Sequence, residues 1–214
     1  FSYNPSTKTL TVKGSYSGTG NIINNKIAGV TINAAADATL TSAESAVLAI
    51  SAGTTITGSG KLSLSTGADC GIYVFDGAAL TLDGVNLTAE GVWGIAGNPT
   101  GETLTIKNST VNASGANGAI CDFERITLSG CSITSPSGGR VSGGNIVTSS
   151  GSVATSVVIG LGGGGEPIDE PTYYDLYIDG TQVTSDNQAD ILGNGVFSYN
   201  PSTKTLTVKG SYSG

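Results

Sequence analysis

The sequence contains no histidine and no methionine, and only one of its 214 residues is tryptophan. Without histidine the chain cannot form a Ser-His-Asp triad, a Cys-His dyad or a histidine-ligated metal site. Charged residues make up 12% of the chain, which is about half of the usual share. The net charge is −7 and no basic stripe is present, so we expect no nucleic-acid partner. No apolar run approaches the ~20 residues of a membrane-spanning helix, so we expect no membrane insertion.

The sequence is rich in glycine, with 33 residues. It also contains many short runs in which apolar and polar residues alternate. Low charge and abundant glycine are found in disordered chains. Here, however, hydrophobic residues make up 38% of the sequence, and their alternation is a pattern that disorder does not require. The length suits one ordinary domain. The composition therefore predicts an ordered, strand-rich protein.

A short period runs through the middle of the chain. Three segments align without a gap and follow one another at nearly equal intervals: LTLDGVNLTA (80–89), LTIKNSTVNA (104–113) and ITLSGCSITS (126–135). Such periods with short strands are typical of solenoids. One position of each segment holds a residue that accepts a positive φ at low cost: Gly84, Asn108 and Gly130. The sequence predicts an all-β fold, a right-handed parallel β-helix (a single-stranded solenoid) with coils of about 22–24 residues. A β-sandwich also uses many short strands, but it does not explain this recurring position.

Stacked coils would place equivalent residues in columns along the helix axis, because neighbouring strands lie ~4.8 Å apart. An outward column of threonines is expected from Thr81, Thr105 and Thr127. An interior column is expected from Leu80, Leu104 and Ile126. Asp83 and Lys107 should be neighbours on adjacent coils, as an exposed ion pair that contributes ~0–1 kcal/mol.

The two ends of the chain carry the same segment. Residues 1–18 (FSYNPSTKTLTVKGSYSG) recur without a substitution at residues 197–214, at an offset of 196 residues. A tandem array of 196-residue units and an overlap left by permutation both explain this duplication. Residues 161–172 (LGGGGEPIDEPT) combine glycine, proline and acidic residues, as linkers do. We therefore expect a β-helix body at 1–160, a linker at 161–172, and the start of the next or permuted unit at 173–214.

Four segments resemble a family of bacterial surface proteins. They are YDLYIDGTQVTSDN (174–187), FSYNPSTKTLTV (197–208), GVTINAAADATLTS (29–42) and LTLDGVNLTA (80–89). The family consists of β-helix proteins from gut anaerobes that are usually called carbohydrate-binding-domain-containing proteins. The resemblance implies a β-helix, a location outside the cell or on the bacterial cell surface, and glycan binding. It implies no particular binding residues.

Four aromatic residues fall near a recurring Gly-Ile element and suggest where a glycan would bind, because sugar rings stack on exposed aromatic faces. They are Tyr73, Phe75, Trp93 and Phe123. Alternation directs Tyr73 and Phe75 outward; Phe123 aligns with Phe75, whereas Trp93 shares the parity of the inward Ile95. Three carboxylates lie beside these rings and would accept hydrogen bonds from sugar hydroxyls: Asp76, Asp122 and Glu124. The predicted carbohydrate-binding residues are Tyr73, Phe75, Trp93, Asp122 and Phe123. Alternatively, the rings cap the edge of a coil or cover a loop.

The sequence predicts no catalytic residue, no metal site and no cofactor. Carboxylates are sparse, and Asp76 and Glu124 would lie two coils or ~10 Å apart, which is more than glycosidases use. Cys70 and Cys121 would also lie two coils apart, too far for a disulfide. We expect Cys70 and Cys131 to be small buried hydrophobic residues. A bridge between Cys121 and Cys131 within one coil stays open.

Two classes of function remain, with a third behind them. The first is a non-catalytic surface or secreted module that adheres to a glycan or another surface ligand. The second is a structural unit of a tandem-repeat stalk or of a filament in which neighbouring copies stack end to end, because the open ends of a β-helix invite such stacking. A polysaccharide-degrading β-helix enzyme is the third.

Overall fold

The computed structural model describes residues 1–162, 173–184, 187–201 and 203–212. The chain divides into two compact units, residues 1–168 and residues 169–214. All regular secondary structure in the described residues is β-strand, and none of these residues form a helix of the length and hydropathy needed to cross a membrane. Most of the predicted linker, residues 163–172, lies outside the described residues.

Nineteen strands lie in the described part of the first unit. They are β1 (Ser2–Asn4), β2 (Thr9–Val12), β3 (Tyr16–Gly18), β4 (Ile23–Asn25), β5 (Val30–Ala34), β6 (Ala38–Ser42), β7 (Leu48–Ile50), β8 (Thr54–Thr57), β9 (Lys61–Thr66), β10 (Cys70–Val74), β11 (Ala79–Asp83), β12 (Asn86–Ala96), β13 (Thr103–Lys107), β14 (Thr110–Cys121), β15 (Arg125–Ser129), β16 (Cys131–Ser135), β17 (Arg140–Ser142), β18 (Asn145–Val147) and β19 (Ser156–Leu161).

Equivalent strands of successive coils pair in parallel and build three rows. The first row is the sheet β2-β5-β8-β11-β13-β15, with β1 added at its edge. The second row joins β3, β6, β9 and the first halves of β12 and β14. The third joins β4, β7, β10 and the second halves of β12 and β14. The first unit is therefore a parallel β-helix of about five turns, as the period predicts.

The predicted columns are confirmed, and the threonine column is longer than predicted. Six threonines lie side by side along the first row: Thr9, Thr31, Thr55, Thr81, Thr105 and Thr127. The predicted interior column is buried and in register: Leu80, Leu104 and Ile126. The ammonium nitrogen of Lys107 lies 3.3 Å from the carboxylate of Asp83.

The bends between strands depend on left-handed residues, as predicted. Gly84, Asn108 and Gly130 have φ angles of 65°, 47° and 65°. The steps along the threonine column are unequal in sequence, and the step from Thr55 to Thr81 is slightly longer than the predicted coil. Since the register holds across all coils, the bends and loops absorb the difference in length.

One row at each end of the β-helix gains an antiparallel strand. At the first end, β1 pairs with β2 in antiparallel fashion and forms what we call the first hairpin, Ser2–Val12. At the other end, β19 lies antiparallel between β14 and β16. Each addition ends the parallel ladder of its own row.

The second unit is built from two hairpins. Its described strands are β20 (Tyr173–Ile178), β21 (Thr181–Thr184), β22 (Phe197–Asn200) and β23 (Thr205–Val208). β20 pairs with β21, and β22 pairs with β23, both in antiparallel fashion. We call the β22–β23 pair, Phe197–Val208, the second hairpin. Its sequence is that of residues 1–12.

Candidate functional site

A cavity of about 370 Å³ lies on the outside of the β-helix beside the third row of strands. Its lining residues are Asp69, Cys70, Tyr73, Trp93, Ala96, Gly97 and Asp122. We call it the aromatic cavity. It brings together three of the five predicted carbohydrate-binding residues, Tyr73, Trp93 and Asp122. The sequence pattern does not indicate that Asp69 joins them.

The ladder register explains how residues distant in sequence meet in the aromatic cavity. Trp93 is the neighbour of Cys70 on the adjacent strand, and Ala96 is the neighbour of Tyr73 on one side and of Cys121 on the other. The register of β12 shifts between Gly91 and Trp93. Trp93, just after this irregularity, does not follow the inward parity of Ile95, and its ring is half-buried at the cavity wall.

Two glycines allow the strands around the cavity to approach closely. A Cβ atom on Gly91 would lie 2.4 Å from the carbonyl oxygen of Asp69. One on Gly97 would lie 2.2 Å from the carbonyl oxygen of Asp122. Since real Cβ atoms do not approach that closely, any side chain at these positions would displace the backbone that carries the two cavity carboxylates.

The floor of the cavity is a small apolar cluster, separate from the main core. Ala46, Cys70, Ala96 and Cys121 are buried there, and the rings of Tyr73 and Trp93 pack against them. Phe75 extends this aromatic surface, because its ring stacks on Tyr73 with centroids 5.1 Å apart and planes 14° apart. Phe75 is half-buried beside the cavity and is not one of its lining residues.

The prediction that Phe123 belongs to the exposed aromatic surface is wrong. Its side chain is 2% exposed and lies in the main core. The cause is Asp122, which adopts a left-handed φ of 62° and so breaks the alternation of the strand. In the coil of Phe75 the left-handed residue is Asp76, with a φ of 58°, and it comes after the aromatic ring. Alignment alone does not reveal this shift.

The thiols and the phenol around the cavity are held in their neutral forms. Burial raises the pKa of the Cys70 thiol far above its usual value, and the adjacent Asp69 raises it further by hydrogen bonding and by its charge. Burial and the neighbouring Asp122 raise the pKa of Cys121 to about 12. Burial also raises the pKa of Tyr73, and the charges of nearby carboxylates raise it further. At neutral pH the cavity therefore offers a phenol donor, carboxylate acceptors and no thiolate nucleophile.

All three cysteines are free and buried, so the possible Cys121–Cys131 bridge is not formed. Cys131 points into the core, as predicted, and its thiol donates a hydrogen bond to the carbonyl oxygen of Ile106 at 3.3 Å. In the part of the chain that the structure describes, no group of three or more Cys, Asp or Glu side chains is arranged to hold a metal ion.

Glu102 is a buried carboxylate that sequence reasoning does not distinguish from the surface acids. Its side chain accepts hydrogen bonds from the amides of Gly77 (2.8 Å) and Thr100 (2.9 Å) and from the Thr100 hydroxyl (3.2 Å). Burial alone would raise the pKa of this carboxyl, but these donors outweigh it and hold the pKa below its usual value. Because Gly77 lies one coil away in sequence, Glu102 ties two neighbouring coils together, and its role is structural.

No protein-family model, no curated protein and no solved structure matches the chain. No function can therefore be assigned to this chain from a similar protein. The function has to be argued from the geometry of the aromatic cavity.

Proposed function

We propose that this chain is a non-catalytic, adhesive module of a bacterial surface or secreted protein that binds a glycan in the aromatic cavity. The observation that carries the proposal is the meeting of two partly exposed rings, Tyr73 and Trp93, with two carboxylates, Asp69 and Asp122, in one cavity. A pyranose ring presents an apolar C–H face, which packs on an aromatic ring, and a rim of hydroxyls, which donate to carboxylates. The volume falls in the range of small-ligand sites.

The resemblance to bacterial surface β-helix proteins supports both the ligand class and a location outside the cell. The aromatic pair also suits a glycan better than a charged ligand. An anion would meet the charges of Asp69 and Asp122, and a protein partner would need a much larger surface than this cavity offers.

Binding without catalysis is favoured by the spacing of the carboxylates. Asp122 follows Cys121, which lies two strands from Tyr73 in the third row. Asp69 belongs to the coil of Tyr73, so the backbones of the two acids are at least ~10 Å apart. The paired carboxyl groups of retaining glycosidases lie ~5–5.5 Å apart, so this backbone spacing argues against a retaining mechanism. The thiols of Cys70 and Cys121 are protonated at neutral pH and supply no nucleophile.

A glycan array followed by calorimetric titration of the best ligand tests the proposal. We expect Trp93→Ala and Tyr73→Ala each to weaken binding by at least about fivefold, since each removes a stacking surface that contributes roughly 1 kcal/mol or more. Trp93→Phe should retain most of the affinity. Asp122→Asn should weaken binding less, because the amide oxygen still accepts a hydrogen bond.

Tyr16→Ala is the matched control, because Tyr16 is an exposed aromatic residue of the same unit outside the cavity. It should bind the glycan as the unmodified chain does. Equal affinities for the Trp93→Ala and Tyr16→Ala variants would contradict the proposal. Release of reducing ends from the bound polysaccharide, abolished by Asp69→Asn or Asp122→Asn, would favour an enzyme instead.

A further inference from the structure

The first and second hairpins are two copies of one sequence in the same conformation. In the first, Ser2, Tyr3 and Asn4 pair with Thr11, Leu10 and Thr9. In the second, Ser198, Tyr199 and Asn200 pair with Thr207, Leu206 and Thr205, which is the same register at an offset of 196. Any contact that one hairpin makes along its β2 or β23 edge is therefore available to the other.

The two copies differ in what lies along that edge. In the first hairpin, β2 pairs in parallel with β5, and Val12 is fully buried. In the second, Leu206 and Val208 are 37% and 55% exposed. The sheet that contains β23 has two strands among the described residues. An apolar strand edge of this kind is a template for pairing with another strand.

The strand that fits this edge is already present in the molecule. β5 aligns Thr31 with Thr9, Ile32 with Leu10, and Ala34 with Val12. The amides of Thr31 and Ala35 donate hydrogen bonds to the carbonyl oxygens of Lys8 (2.9 Å) and Val12 (3.0 Å). Because the second hairpin has the same sequence and register, Thr205, Leu206 and Val208 can make the same contacts with β5.

The second hairpin is also better prepared for this contact than the first. The ring of Tyr199 packs edge-on against Tyr174 with centroids 5.2 Å apart, and the amide of Tyr199 donates to the carbonyl of Gln188 at 2.7 Å. In the first hairpin the equivalent Tyr3 is 45% exposed, and a groove of about 150 Å³ opens beside it. A hairpin braced before it docks loses less conformational entropy on docking.

We propose that the second hairpin of one chain seats on β5 of a second copy of this chain, in place of that copy's own first hairpin, and so joins copies head to tail. β5 lies four rungs, or ~19 Å, along the stack from the level of β19, the last strand of the first unit. Within one chain β5 already pairs with β2, so a neighbouring copy supplies the acceptor. Each copy carries one donor hairpin and one acceptor strand, so the contact is heterologous and extends into a linear assembly. The proposal does not depend on glycan binding.

Disulfide trapping between two different variants tests the contact. Thr11 and Asn33 are outward-facing neighbours on β2 and β5, so Thr207 of the second hairpin should take the place of Thr11 beside Asn33. A chain with Asn33→Cys is mixed with a chain with Thr207→Cys under mild oxidation. We expect a covalent heterodimer whose yield rises with protein concentration, because neighbouring strands place the Cα atoms within disulfide range.

The matched control replaces Thr207→Cys by Ser198→Cys, since Ser198 lies on the far strand of the same hairpin, away from the docking edge. It should give no heterodimer with the Asn33→Cys chain. Equal yields from the two cysteines would overturn the proposal. A cross-link that forms within one chain carrying both Asn33→Cys and Thr207→Cys, at a yield independent of concentration, would also overturn it.

A second experiment uses a substitution that frees the acceptor strand β5. Val12→Asp should weaken the hold of the first hairpin on β5 and raise the fraction of dimers and larger species in size-exclusion chromatography several-fold. Adding Val208→Asp should return the protein to a monomer, because the donor edge then carries a charge. If Val12→Asp prevents folding, the trapping experiment, which leaves both hairpins apolar, still decides. A folded Val12→Asp chain that stays monomeric at all concentrations would overturn the proposal.

Discussion

The first and second hairpins share every residue and their strand register, yet one is part of a core and the other is not. Val12 is fully buried, and its equivalent Val208 is 55% exposed. Conversely, the aromatic face is bare around Tyr3 and covered around Tyr199. The hairpin conformation is therefore set by local sequence, whereas burial is set by which neighbour is present. The first hairpin is covered at Val12 and exposed at Tyr3, whereas the second is exposed at Val208 and covered at Tyr199.

The largest difference between the two units should appear at alkaline pH. The pKa values of Cys70 and Cys121 are raised in the folded state, so the folded chain binds more protons than the unfolded chain above the ordinary thiol pKa. Stability is then fully present below pH ~8.5 and falls as the pH rises toward 12, by up to ~1.4 kcal/mol per pH unit for each thiol. The second unit contains no cysteine, so this contribution of the thiols is confined to the first unit.

Urea unfolding followed by fluorescence checks this, because Trp93 is the single tryptophan and reports on the first unit. The chain with Cys70→Ala and Cys121→Ala should show a shallower decline in the free energy of unfolding between pH 8 and pH 11. An identical decline in the unmodified chain and the double variant would mean that the thiols are not the cause.

Truncating the equivalent valines measures the difference in burial directly. Val12→Ala should lower the free energy of unfolding by about 2 kcal/mol, since it leaves a cavity in the core. Val208→Ala should change it by less than about 0.5 kcal/mol in dilute solution, as surface substitutions do. Both are measured by urea unfolding of the full chain. A cost of Val208→Ala that grows with protein concentration would sharpen the comparison in favour of docking between copies.

The equivalent tyrosines should give the opposite order. Tyr199→Ala removes the ring contact with Tyr174 and should destabilise the second unit by about 1 kcal/mol. Tyr3→Ala removes an exposed ring and should cost less than about 0.5 kcal/mol. Hydrogen exchange of the backbone amides of each hairpin, in each variant against the unmodified chain, is the measurement. A larger acceleration of exchange from Tyr3→Ala than from Tyr199→Ala would break the comparison.

The smallest effect should come from the turn of each hairpin. Lys8 and Lys204 occupy the same hairpin turn with φ angles of 49° and 52°, a conformation that costs a non-glycine residue roughly 1 kcal/mol. Lys204→Gly should raise the free energy of unfolding by a few tenths of a kcal/mol, because glycine also adds freedom to the unfolded chain. Lys8→Gly should raise it less, because it also removes the hydrogen bond that the Lys8 ammonium donates to the carbonyl oxygen of Ala28 at 3.0 Å. Thermal unfolding by calorimetry checks this, and a larger gain from Lys8→Gly than from Lys204→Gly would contradict it.

The columns of the β-helix could be predicted from the sequence because they follow from alternation and a regular period. Leu80, Leu104 and Ile126 obey both, and so do the threonines of the same strands. The extension of the threonine column to Thr55 is hidden in the sequence, because the coil between Thr55 and Thr81 is longer than those that follow it. The additional residues lie in loops, where the sequence carries no periodic signal.

The aromatic cavity could be predicted only in part, because its walls come from irregular backbone. Tyr73 follows the alternation of its strand, so alternation places it correctly. Trp93 follows a register shift, and Phe123 follows the left-handed Asp122, so alternation fails at both. Glu102 could not be identified, since its partner Gly77 is set by stacking between coils. Which side chains line the cavity therefore depends more on such local irregularities of the backbone than on the repeat.

The tolerance of the register to coils of unequal length has a consequence for the dimensions of the molecule. The bends and loops accommodate the additional residues of the longer coils. Removing or inserting a complete coil would therefore leave the threonine column and the interior column continuous on both sides of the change. The distance along the axis between the antiparallel strands at the two ends, β1 and β19, can thus be altered only in increments of ~4.8 Å. The length of such a β-helix therefore changes by whole coils, and it can be changed while the residues that shape each remaining coil stay the same.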